Sequence, residues 1–178
     1  MPTDETPSWG TITDWGTATA DNTTVMAEVT SDASNNSLAS QLAGGTVTYL
    51  LRSIEADQSR MVVRFAIRWD NPDKPDSAQA SRSELGIALS NILAIDKVSL
   101  TGYRPFCSRG SYSGGNIERS DCLDSQLVVP DPASLGFAFP NHALIEGYAI
   151  MPGPAGKPAT VDFNLGNAIF TDATVTYR

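Results

Sequence analysis

The sequence has few of the residues that most often carry chemistry or cross-link a small fold. It contains one histidine, His142, and two cysteines, Cys107 and Cys122, among 178 residues. A zinc centre draws about four such ligands together, so we expect no metal site of that kind and no cofactor. Ser90 and Asn91 interrupt the longest apolar run, at 85–95, which is too short to cross a bilayer. We therefore expect no transmembrane segment.

Positive charge is also scarce. The chain has 12 Lys and Arg against 20 Asp and Glu, which gives a formal net charge of −8. Nucleic acids and anionic membranes attract clustered basic residues, so neither is expected to bind directly. Asp supplies 14 of the 20 acids and Arg 9 of the 12 bases. This bias suits a halophilic acidic protein, and a GC-rich genome would produce it equally well.

What the sequence does contain is a strongly alternating segment, RMVVRFAIRWD, at 60–70. Its odd-numbered residues are apolar, whereas Arg64, Arg68 and Asp70 share the other side. A period of two predicts a β-strand with one side in the core. The segment 46–56 predicts a second strand, and the three residues between the two segments fit a tight antiparallel hairpin.

Turn-forming residues divide the rest of the chain into further short segments of strand character. We expect eight to ten strands, at 24–30, 46–56, 60–70, 97–102, 126–129, 135–139, 143–151, 160–165 and 168–177. The fold class predicted is all-β, an antiparallel sandwich or single jelly-roll barrel at 9–178, preceded by a flexible polar arm at 1–8.

One short helix is predicted among these strands. Ser81 and Glu84 have the S-x-x-E spacing of a capping box, and apolar residues follow at helical spacing. These features predict a helix at about 82–93. The proline-rich segment 71–80 before it is expected to be a loop, because proline cannot donate to a strand ladder.

Catalytic chemistry finds little support in the sequence. His142 follows a Pro-Asn pair, so we expect an exposed turn residue that no nearby acid supports as a general base. A glycosidase needs two opposed carboxylates, for which Glu146 and Asp162 are the candidates. Any acidic β-protein offers such a pair, so we expect the chain not to be an enzyme.

Oxygen ligands gather near the end of the alternating segment, as Asp70, Asn71, Asp73 and Asp76. A calcium ion could use them, but their spacing differs from that of an EF-hand loop. Asp and Asn beside proline are common turn formers, so we favour a turn.

The two cysteines bound a Gly- and Ser-rich excursion at 107–122. An intrachain disulfide, two free thiols and bonds between subunits are all open. Free thiols are usual in a reducing cytosol. An intrachain bridge between Cys107 and Cys122 would fasten the excursion at both ends and contribute about 3 kcal/mol, and we favour it.

Two sets of residues are candidates for binding. Arg64 and Arg68 are in line on the outer side of the alternating strand, where they could meet carboxylates of a neighbouring subunit or stay solvated. Aromatic residues could instead stack on sugars, although they are more often core or interface anchors. The aromatic candidates are Trp9, Trp15, Tyr103, Tyr112 and Tyr148. A lectin-like, carbohydrate-binding sandwich is therefore our alternative function.

Together, the strand pattern over 24–177, the Asp and Arg bias, the cysteine pair and the Asp-rich turn DNPDKPD at 70–76 resemble one family. The chain is similar to the small major capsid proteins of icosahedral viruses with an internal membrane, which infect halophilic archaea or thermophilic bacteria. The resemblance implies a vertical jelly roll that assembles with itself and with a second, larger capsid protein around a lipid vesicle. It implies a structural protein of the virion, made in the host cytoplasm, and no residue role.

Overall fold

The computed structural model describes residues 24–33, 43–87, 91–105 and 138–178. Strands account for 58% of these residues. In chain order the strands are β1 (Ala27–Asp32), β2 (Thr46–Ala56), β3 (Arg60–Asp70), β4 (Gln79–Ala80), β5 (Leu93–Asp96), β6 (Thr101–Tyr103), β7 (Phe139–Pro140), β8 (Leu144–Pro152), β9 (Thr160–Leu165), β10 (Ala168–Thr174) and β11 (Thr176–Tyr177). The predicted arm at 1–8 lies outside the described residues.

These strands form two large sheets and one small one. The first sheet has the antiparallel order β1-β2-β3-β8, and β11 adds to β2 in parallel. The second sheet has the order β10-β9-β5-β6, while β4 pairs with β7. Side chains from both large sheets share one apolar core. The all-β sandwich is therefore confirmed, and the sheets of the described residues do not close into a barrel.

The hairpin of β2 and β3 begins and ends where the alternation predicts. Its turn is held by Asp57, whose Oδ1 accepts hydrogen bonds from the backbone N–H groups of Ser59 at 2.7 Å and Arg60 at 2.9 Å. The pairing shifts register between Leu51 and Ser53. Such a bulge adds one residue to one strand, and here that residue is Arg52.

The odd-numbered residues of β3 all point into the core. Met61, Val63, Phe65 and Ile67 are fully buried, and Trp69 is 1% exposed. Trp69 Nε1 also donates to the carbonyl of Gly44, at 2.8 Å. A Cβ at the next glycine, Gly45, would overlap the carbonyl oxygen of Asp70. Only glycine allows the start of β2 to approach the end of β3 this closely.

The helix predicted at 82–93 does not form in the residues described. The capping box itself is present, because Ser81 N donates to Glu84 Oε2 at 2.6 Å and Glu84 N donates to Ser81 Oγ at 3.3 Å. The chain then turns at Gly86, whose φ is 68°. Leu93 already belongs to β5, which pairs with β9. Tertiary pairing thus overrides the local helix signal.

Other boundaries also differ from the prediction. Residues 97–100, predicted to begin a strand, form the turn between β5 and β6. Part of the predicted loop 71–80 pairs as β4 with β7. The strand predicted at 126–129 lies outside the described residues.

The antiparallel pairing sorts the connections into two ends of the sandwich. At one end, called the turn end, are the β2–β3 turn, the β5–β6 turn and the β8–β9 loop. At the opposite end, called the loop end, are the segment 71–78, the turn before β8 and the β9–β10 turn. The position of a residue along the strands is given relative to these two ends.

Replacing Phe65 by alanine should lower the free energy of unfolding by about 3–5 kcal/mol, because a fully buried ring is lost from the core. Urea unfolding measures the change. The matched control is Ile169→Ala, since Ile169 is 59% exposed and its truncation should leave stability nearly unchanged. Equal effects for the two variants would contradict the assignment of the core.

Candidate functional site

The outer side of the first sheet carries both arginines that the sequence singles out. The even-numbered residues of β3 lie on this side, opposite the core. Charged side chains from β2, β3, β8 and the C-terminal residue pair with one another across it. We call this surface the charged face, and its members are Arg52, Glu55, Arg64, Arg68, Asp70, Glu146 and Arg178.

Arg64 lies in the part of the charged face nearer the turn end and is only 7% exposed. Its Nη1 donates to Glu55 Oε1 at 3.2 Å. The other oxygen of Glu55 lies 2.6 Å from Arg178 Nη2, so one carboxylate joins two arginines. Arg64 therefore meets a carboxylate of its own chain. A role for Arg64 at a subunit interface stays a prediction.

A small apolar cluster lies beside Arg64. Val62 and Tyr148 are 4% and 5% exposed, and Ile150 packs against them. Burial raises the pKa of Tyr148, and the positive charge of Arg64 offsets part of the rise. The outer side of the sheet is therefore well covered at this point, although it is not part of the main core.

Arg52 and Glu146 form the central pair of the charged face. Arg52 Nε donates to Glu146 Oε2 at 3.0 Å, and Nη2 donates to Oε1 at 2.5 Å. This is a bidentate arrangement, the geometry in which a guanidinium group binds a carboxylate most strongly. Arg52 is on β2 and Glu146 on β8, and Ala66 of β3 is paired between these two strands. The ion pair therefore spans three strands and covers Ala66, which is fully buried although it faces outward.

Arg68 lies toward the loop end and is half-exposed. Its Nε donates to Asp70 Oδ2 at 2.6 Å, while the other oxygen of Asp70 lies 2.9 Å from His142 Nδ1. His142 Nε2 is a further 3.9 Å from Asp76. Partial burial would raise the pKa of Asp70, but the hydrogen bonds from Arg68 and His142 outweigh it and hold that pKa below the usual 3.8.

His142 is the exposed turn residue that the sequence predicts, with a φ of 64° and a side chain 45% exposed. The expectation that it has no acid beside it is wrong, because β3 and β8 bring Asp70 to it from 72 positions away. Within the part of the chain that the structure describes, no hydroxyl or thiol hydrogen-bonds to His142. Its ring nitrogens face the carboxylates of Asp70 and Asp76, and Asp70 is also bonded to Arg68.

Asn71 and Asn141 fix the loop end from inside. Both are nearly buried, and Asn71 N donates to Asn141 Oδ1 at 2.8 Å while Asn141 Nδ2 donates to the carbonyl of Asn71 at 2.9 Å. Asn71 Oδ1 accepts from Asp73 N at 2.9 Å, which is the hydrogen bond of an Asx turn. Among the described residues, no group of three or more His, Cys, Asp or Glu side chains comes together in a way that could hold a metal ion. The favoured turn at 70–76 agrees with this geometry.

The other candidates are separated or lie outside the described residues. Glu146 is on the outer side of the first sheet, whereas Asp162 alternates with buried Val161 and Phe163 and so lies on the outer side of the second. The core separates the two carboxylates, which is not the arrangement of a glycosidase pair. Cys107 and Cys122 lie outside the described residues, so the disulfide stays a prediction.

The aromatic candidates divide in the same way. Tyr103 is 8% and Tyr148 5% exposed, so neither presents a ring face to a sugar. Trp9, Trp15 and Tyr112 lie outside the described residues, and the lectin hypothesis stays a prediction. No helix among the residues described is long and apolar enough to cross a bilayer.

Comparison with known proteins identifies no relative: no family model, curated protein or solved structure matches this chain. The resemblance to capsid proteins therefore stays a prediction.

No local pattern in the sequence indicates the pair Arg52–Glu146, because the two residues are 94 positions apart. Glu146→Gln should lower the free energy of unfolding by roughly 3 kcal/mol, because it leaves Arg52 buried without its counter-charge. The double variant Arg52→Met with Glu146→Leu should recover most of that loss, since it removes both charges. A double-mutant cycle made of Arg52→Met, Glu146→Leu and the double variant measures the coupling by urea unfolding, and additive losses would contradict a direct interaction.

Acid should weaken the loop end through Asp70. Because the folded state holds the pKa of Asp70 below 3.8, its ion pairs stabilise the fold fully above that value and are lost as the pH falls through the lowered pKa. Asp70→Asn should therefore destabilise the chain at neutral pH and make little difference at the acid limit. Asp73→Asn is the control, because Asp73 is an exposed carboxylate of the same loop and its charge is removed by the same change. Equal pH profiles for Asp70→Asn and the parent would contradict this account.

Proposed function

We propose that this chain is a non-enzymatic, self-assembling subunit of a viral capsid shell, which also contains a second, larger capsid protein. The observation that supports the proposal is the charge balance of the charged face. In that setting the chain is made in the host cytoplasm and becomes part of the virion, close to an internal membrane and without direct contact to DNA.

Electrostatic repulsion between copies of the chain opposes self-assembly. A chain with a formal net charge of −8 repels its own copies, so a contact between copies is easiest where the local charge is balanced. On the charged face, four arginines are paired with three carboxylates, so little net charge remains there. The excess of acid therefore lies elsewhere on the molecule.

Desolvation favours the same surface. Burying a free charge at an interface costs several kcal/mol before any partner is met. Arg52 and Arg64 are already 5% and 7% exposed and paired within the chain, so covering them again changes little. The side chains of Arg68 and Arg178 are 43% and 51% exposed and can still reach carboxylates of a neighbouring copy. The buried pairs thus form the centre of the charged face. The exposed Arg68 and Arg178 lie toward its two ends.

Self-assembly that depends on salt is the expected behaviour. Added salt screens repulsion between acidic copies, so light scattering after size exclusion should show dimers or larger species whose population rises with salt. Arg68→Glu should shift the distribution toward the monomer at every salt concentration. The change reverses the charge of the exposed arginine that would reach a carboxylate of the next copy.

Lys74→Glu is the matched control for this experiment, since it makes the same charge reversal at an exposed residue in the loop 71–78. The proposal is wrong if the parent chain stays monomeric across the salt series. If Lys74→Glu acts as strongly as Arg68→Glu, net charge alone governs association and the charged face is not the contact.

A further inference from the structure

The turn between β5 and β6 presents the most exposed apolar side chains among the described residues. Val98 is 92% exposed and Leu100 is 87% exposed. We call residues 97–100 the apolar turn. Two large aliphatic side chains are exposed close together here. Covering them with a second surface is favourable, because their apolar area then leaves water.

Hydrogen bonds and ion pairs with carboxylates fix the conformation of the apolar turn. Asp96 Oδ1 accepts from Val98 N at 2.9 Å, and Asp96 Oδ2 accepts from Ser99 Oγ at 2.7 Å. Lys97 Nζ lies 2.6 Å from Asp172 Oδ1 and 3.1 Å from Asp162 Oδ1. A turn fixed by these contacts has little conformational freedom left to lose on binding.

Backbone strain gathers at the same end of the sandwich. Four non-glycine residues of the described chain have positive φ, and three of them are at or near the turn end: Leu100 at 55°, Lys157 at 45° and Asp172 at 53°. Leucine and lysine rarely adopt this conformation. Strained residues of this kind persist where the surrounding structure holds them, and they concentrate at functional surfaces.

A crevice opens at the same end of the sandwich as the apolar turn. It has a volume of about 500 Å³ and is lined by residues of the β2–β3 turn and the β8–β9 loop, namely Gln58, Pro154, Ala155, Gly156 and Lys157. The backbone N–H of Ala155 lies 3.4 Å from the hydroxyl of Tyr103 on β6, which links this loop to the strand that follows the apolar turn. The protruding side chains and the crevice therefore both lie at the turn end.

The charges around the two features are complementary. Beside the apolar turn, the carboxylates of Asp162 and Asp172 share the single ammonium of Lys97, which leaves an excess of negative charge there. The crevice carries Lys157, whose Nζ lies 5.9 Å from the centroid of the Tyr177 ring. An acidic surround on one feature and a basic residue on the other favour contact between two copies in spite of the acidic chain.

We infer that the apolar turn of one copy inserts into the crevice of a second copy, which returns the same contact. A two-fold axis between the turn ends makes the contact self-complementary, because both features lie on the same end of the chain. This inference rests on the proposed function and names one contact of that assembly, separate from the charged face.

The test uses sedimentation equilibrium of the full chain with two single variants. Leu100→Asn removes the aliphatic side chain and keeps a residue that tolerates positive φ. Gly156→Gln places a long side chain on the lining of the crevice, and the fold tolerates it because a Cβ there meets nothing within 4 Å. Each variant should weaken self-association roughly 100- to 10,000-fold, because the two-fold contact places the change in both of its copies and each buried aliphatic contact accounts for about 10- to 100-fold. Mixing the two variants should restore part of the association, because one of the two contacts can then form.

Ile169→Asn is the matched control, since Ile169 is exposed on β10 nearer the opposite end and should leave association unchanged. Thermal unfolding of every variant checks that the fold is kept. If the parent associates and both turn-end variants associate equally well, this inference is wrong and the proposed function stands. A parent that is monomeric at every concentration and salt overturns both.

A membrane is the competing partner for exposed aliphatic side chains. Flotation with phosphatidylcholine vesicles separates the two cases. The inference predicts that the parent chain does not float with the vesicles. Vesicle binding that Leu100→Asn abolishes, with self-association unaltered, would assign the apolar turn to lipid and overturn the contact between copies.

Discussion

The structure depends on the burial of one side of β3 between the two large sheets. Five apolar side chains on that side leave water almost completely, and Trp69 adds a hydrogen bond to the chain before β2. Because side chains alternate along a strand, this burial also decides which residues face outward. The positions of Arg64, Arg68 and Asp70 on the charged face are thus set by the core on the other side of the same strand.

The strands with strong local periodicity could be predicted from the sequence. β2, β3 and β9 begin and end at the predicted residues, because their alternation and the turn residues around them are local signals. The capping box at Ser81 is equally local, and it forms. It fails to start a helix because Leu93 and its neighbours gain more by pairing with β9. That gain comes from a strand about 70 residues away, which no local pattern contains.

The candidate site shows the same division between local and distant information. The alternation places Arg64 and Arg68 on the outer side of β3, but it does not reveal their partners. Glu146 reaches Arg52, and His142 reaches Asp70, only because β8 pairs with β3 across more than 70 positions of the chain. The bulge at Arg52 is also invisible in the sequence pattern, since it depends on the register of two paired strands.

The pair Arg52–Glu146 has a consequence for how the sheet comes apart. β8 is joined to β3 by its ladder of hydrogen bonds and also to β2, two strands away, by this ion pair. A strand held only by its neighbour can fray from one end, one hydrogen bond at a time. Because β8 is joined to both β3 and β2, it has to separate from the two strands together. We therefore expect β2, β3 and β8 to open as one cooperative unit. The short pairing of β5 with β6 should open earlier.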